Sequence, residues 1–150
     1  MFGIRRIILT SFLLSVCFAF LGGAVHAADG LIELKVSVIH ASKAEKTVDP
    51  ALKKIESSLR KAFGGFNSFQ QVAHQADRLT VGKKLEIKLP NGQIALVSYK
   101  GKDAKHHQLR LTIPQSKVAV DLSVPSRKMF YQAGIKHKDG ILVLAFYLTD

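Results

Sequence analysis

Histidine, serine and the carboxylates are the side chains of this sequence that could do chemistry, so their spacing is the first thing to weigh. His40, His74, His106, His107 and His137 stand in the part of the chain patterned as a folded domain. A metal site needs three or four ligands converging with fixed geometry. His106 and His107 would point to opposite sides of a strand, and no other His, Asp or Glu stands at a recognised ligand spacing from them. The five histidines therefore read as surface residues on loops and strand ends, and no metal ligand is assigned. A hydrolytic triad fares no better, since the chain has serines, histidines and aspartates but no Gly-x-Ser-x-Gly elbow. Its 11 Asp and Glu residues are too scattered to single out a carboxylate pair, which glycoside cleavage needs at about 5 to 10 Å. There is no glycine-rich phosphate loop. The sequence thus names no catalytic residue and no cofactor.

Charge is the stronger signal. The chain carries 22 Lys and Arg against 11 Asp and Glu, a net of +11 with histidine neutral. An excess of this size attracts anionic partners at long range. It is densest where Lys83, Lys84, Lys88, Lys100, Lys102, Lys105 and Arg110 face only Glu86 and Asp103. On paired strands these seven would form one positive face, the candidate anion-binding site, although a solvated face is the blander reading. Nucleic acid is disfavoured as the partner, because stacking on bases needs aromatic side chains and only Tyr99 stands among the lysines.

The elements that must carry these residues follow from period and turn signals. Ile32, Leu34, Val36 and Val38 alternate with polar neighbours and predict a first strand over Leu31 to Ala41. Asp49-Pro50 opens a helix, with an acceptor for orphan amides and a proline where no amide is needed. Leu52, Ile55, Leu59 and Phe63 make its apolar stripe, Glu56 and Arg60 can pair across one turn, and Gly64-Gly65 closes it near residue 63. Phe66 to Thr80 fits either period and is read as a strand. Leu85 to Leu89 and Gln93 to Lys100 flank Asn91-Gly92, a hairpin mark in which both turn residues tolerate positive φ. Gly101 to Lys105 reads as a polar loop. His107 to Ile113, Val118 to Val124 and a segment from Met129 alternate in turn. The last stretch, Ile141 to Leu148, is apolar on both parities and predicts a central strand covered on both sides. Seven or eight strands joined by short turns, with one amphipathic helix, predict a mainly β domain: an antiparallel sandwich or open barrel.

Residues 1–27 read as a signal peptide. Arg5 and Arg6 precede an apolar run, and Val25-His26-Ala27 is a small-residue cleavage signature. Cleavage after Ala27 would remove the single cysteine, Cys17, and leave residues 28–150 as one domain with 20 − 11 = +9 charges and no disulfide. An uncleaved anchor is the alternative. After cleavage no apolar run is long enough to span a membrane, so the expected location is the periplasm or the extracellular space.

The order of Ile39-His40-Ala41-Ser42, Asp49-Pro50-Ala51-Leu52, Phe66-Asn67-Ser68-Phe69, Leu89-Pro90-Asn91-Gly92 and Gly140-Ile141-Leu142 resembles a loose group of small exported bacterial proteins of unknown function. The resemblance implies a strand over Phe66 to Thr80 and no activity. Two functions remain to be told apart. The first is an exported, non-enzymatic accessory or binding domain with a basic surface, part of an envelope assembly and partnered by an envelope protein or an anionic polymer. The second is a small hydrolase or metal-dependent enzyme with a site assembled from dispersed residues.

Overall fold

The computed structural model describes residues 30–150; the expected signal peptide, Cys17 and the cleavage position lie outside the described residues. Eight strands form two four-stranded antiparallel sheets. The first sheet has the order β2-β1-β8-β7, built from β1 (Ile32–Ser42), β2 (Ser68–Leu79), β7 (Met129–His137) and β8 (Gly140–Thr149). The second is a meander of β3 (Lys84–Lys88), β4 (Ile94–Asp103), β5 (His106–Ile113) and β6 (Val118–Pro125). No barrel closes, so the expected alternatives resolve to a sandwich.

Period-2 alternation puts one parity of each strand between the sheets. Ile32, Leu34, Val36 and Val38 of β1, Ala95, Val97 and Tyr99 of β4, and Leu109, Leu111 and Ile113 of β5 all belong to this buried layer. In β8, Leu142, Leu144, Phe146 and Leu148 face the same core, while Val143 and Ala145 join a second apolar cluster. The double-sided strand expected at the end of the chain is therefore interior to its sheet and buried on both faces from Leu142 to Phe146, with Ile141 and Tyr147 half-buried.

The second cluster is what the helix covers. Asp49 accepts a hydrogen bond from the Ala51 amide at 2.9 Å, and Pro50 begins a 3-10 turn, Pro50–Ile55, that runs into α1 (Glu56–Ala62). The expected stripe docks: Leu52 and Leu59 are buried against Ile39, Ala41, Phe69, Val143 and Ala145, with Ile55 and Phe63 packed beside them. Arg60 Nε donates to Glu56 at 3.0 Å on the solvent side. The first half is wound as 3-10 rather than α, which the apolar spacing did not distinguish.

Within Phe66 to Thr80, where a strand is expected, Ser68–Leu79 forms β2, with Val72 the extra residue of a bulge opposite Val38 and Ile39. Two turns differ from their expectation. At Leu89-Pro90-Asn91-Gly92 only Gly92 takes positive φ, +81°, and its amide donates to Leu89 O at 3.0 Å. This is a type I turn led by Pro90 and closed by a left-handed glycine. The polar loop expected over Gly101 to Lys105 is mostly strand. Gly101, at φ +117°, makes a bulge that lets β4 continue to Asp103, leaving only Ala104 and Lys105 in the turn.

Candidate functional site

The seven basic candidates separate into two sets. Lys84, Glu86 and Lys88 project from the solvent face of β3, and Arg110 from the same face of the second sheet. Lys100 is exposed at the β4 bulge and Lys105 in the turn that follows. Three of the seven are already paired: Lys83 with Asp77 at 3.1 Å, Lys102 with Asp150 at 2.6 Å, and Arg110 with Asp121 at 3.1 Å. Lys84, Lys88, Lys100 and Lys105 have no ion-pair partner among the described residues. Tyr99 is no stacking platform, because it is buried with its hydroxyl 3.1 Å from His107 Nδ1.

The histidines separate just as sharply. His106 is exposed and His107 is buried, as opposite sides of one strand require. The expectation that all five are surface residues is corrected at His107, only 1 % exposed, and at His40, whose side chain is 13 % exposed. His107 shares the inward parity of Leu109, Leu111 and Ile113, so the strand's alternation, followed one step further, would have found it. Around it stands a polar cluster: Tyr99 on Nδ1, Asp150 Oδ2 3.7 Å from Nε2, and Lys102 and Ser126 Oγ donating to Asp150 at 2.6 and 2.8 Å. Burial lowers the His107 pKa despite the nearby carboxylate, so the ring is neutral at pH 7. The Lys102 ammonium, then the Ser126 hydroxyl, hold the Asp150 carboxyl well below the usual range. This geometry resembles an oriented base, but a ring so buried offers no edge to a substrate.

His40 and His137 meet edge to face at 5.2 Å between centroids, with Asp139 3.4 Å from His40 Nε2. Among the described residues no group of three His, Cys, Asp or Glu is placed to hold a metal ion. His74 Nδ1 and Ser37 Oγ lie 2.9 Å apart across β1 and β2. A nucleophilic serine also needs its histidine oriented by a third group. Among the described residues His74 has no hydrogen-bonded carboxylate.

That pair lines a groove of about 590 Å³ on the outer face of the first sheet. The helix covers only one end of this face. Where the 3-10 turn overhangs the uncovered end, Leu52, Ile55, Met129 and Ala145 make an apolar lining, and Lys35, Lys54, Gln71 and Tyr147 stand around it. Sequence reasoning missed the groove, because it depends on how far along the sheet a short helix reaches.

Comparison with protein-family models, with curated proteins and with solved structures gives no match.

Proposed function

We propose that this chain is an exported, non-enzymatic binding domain that presents the outer face of its second sheet to an anionic polymer of the cell envelope. The carrying observation is the division of charge around that sheet: Lys84, Lys88, Lys100 and Lys105 are exposed without ion-pair partners among the described residues, whereas Asp77, Asp121 and Asp150 are occupied by other cations. Attraction by these four is available to a ligand without first breaking an internal pair. The packing between the sheets supports the same reading, since one buried apolar cluster joins their facing sides. The enzyme alternative draws only on Ser37–His74 and on His107; the first has no orienting carboxylate and the second no access.

Retention on immobilised heparin, a generic polyanion, tests this reading. Affinity should fall as salt rises, because screening weakens attraction to any anionic surface. Salt-independent retention, or none at low salt, would remove the polymer from the account. Export is tested separately by mass spectrometry of the protein from its native host, where a mature N-terminus at Ala28 is expected and an intact Met1 in the membrane fraction would replace cleavage with anchoring.

A further inference from the structure

The groove beneath the 3-10 turn lies on the sheet opposite the basic meander, and its lining has a chemistry of its own. Leu52 and Ala145 are almost wholly buried, and with Ile55 and Met129 they form an apolar bed flanked by cations. No Asp or Glu lines it. Lys54 reaches it from the helix side without an ion-pair partner among the described residues. Lys35 reaches it from β1, and Glu33 is its one ion-pair partner among the described residues, an exposed contact at 3.2 Å that a ligand anion can replace. Ser37, two residues along the same face, and its cross-strand partner His74 add a hydroxyl and a ring nitrogen beside Lys35. The volume falls within the roughly 300 to 1,000 Å³ that small-molecule sites occupy.

We propose that this groove binds an amphipathic carboxylate, a single aliphatic chain with one acidic head. The chain lies along the half-buried Ile55 and Met129, over a floor of Leu52 and Ala145 that is already dry, and water leaving Ile55 and Met129 supplies the attraction. The head sits between Lys35 and Lys54, with the Ser37 hydroxyl donating to it once His74 Nδ1 is no longer its acceptor. A neutral chain would leave the cations without a partner. A small anion would leave Ile55 and Met129 wet. The charge and the bed together therefore select a molecule that has both parts, and the site is independent of the polymer face.

The test is titration of the mature chain with decanoate, decanol and acetate, each below any micelle-forming concentration, followed by amide chemical shifts and calorimetry. Decanoate should saturate at one equivalent and move the amides of Ser37, Gln71, His74 and Tyr147, with decanol and acetate at least tenfold weaker. The double variant Lys35→Ala/Lys54→Ala should weaken decanoate tenfold or more at an unchanged melting temperature. Reversal of Lys84, Lys88 and Lys100 should leave decanoate affinity as it was. The proposal is overturned if decanoate does not saturate, if decanol matches it, if acetate matches it, or if its shifts map elsewhere. Loss of folding in the double variant would leave the wild-type shift map and the three-ligand comparison to decide.

Discussion

At Gly140 a hydrogen atom in place of a methyl group lets β8 lie against β1. A Cβ there would stand 1.9 Å from Ala41 O, a backbone atom that cannot move aside. Gly140→Ala should therefore cost about 1 to 3 kcal/mol or more, as overpacking does, and urea unfolding measures it; wild-type stability would mean that the strand start is mobile enough to give way. The polar cluster around buried His107 makes a second residue-scale prediction, in pH. Asp150 has a folded pKa below its unfolded one, so its contribution is present above about pH 3.9 and is lost as pH falls through the lowered folded value. His107 also has a lowered folded pKa, because burial opposes its charge. The unfolded chain then binds the proton first, so stability is full above about pH 6.5 and declines as pH drops from there. Chemical unfolding between pH 7.5 and 5 should show that decline, and His107→Gln should reduce it to the part contributed by His137, whose folded pKa burial also lowers; an unchanged slope would place the titration at another residue. The burial of His107 was legible in the alternation of β5, but its link to Asp150 was not. Alternation gives the inward parity, but nothing local says that the residue at position 150 ends beside position 107.

Helix and strands differ in how plainly they announced themselves. β3 to β6 are joined by short turns, so pairing follows sequence order, and the whole meander was readable from alternation and Pro90-Asn91-Gly92. The bulge at Gly101 was not, because a glycine after a run of strand residues signals a turn as readily as a bulge. The helix was readable from Asp49-Pro50 and the spacing of Leu52, Ile55, Leu59 and Phe63. Its docking gives an element-scale prediction. Leu59, fully buried against the outer face of the first sheet, should cost about 2 to 5 kcal/mol when changed to Ala. Lys53, exposed and paired only with Glu56 at 3.3 Å, should cost less than about 0.5 kcal/mol. Equal small losses from both substitutions would show that the helix does not dock by this stripe.

For the whole molecule, the first sheet is assembled from both ends of the domain: β1 pairs with β8 from Glu33 with Thr149 to Ser42 with Gly140. The doubly apolar run of β8 foretold an interior strand but not its neighbour, since a pairing across a hundred residues leaves no local mark. The same holds for charge. Sequence density drew seven basic residues into one face, and the fold ties Lys83, Lys102 and Arg110 to carboxylates while leaving Lys84, Lys88, Lys100 and Lys105 without an ion-pair partner among the described residues. The central claim is that these unpaired cations, not total charge, engage the polymer. The most direct measurement compares heparin affinity at one fixed salt for two triple reversals to Glu, one at Lys84, Lys88 and Lys100 and one at Lys43, Lys46 and Lys61. All six residues are exposed and both variants change net charge equally. The account predicts that the first variant loses binding while the second keeps most of it, with both still folded; equal losses from the two would contradict it.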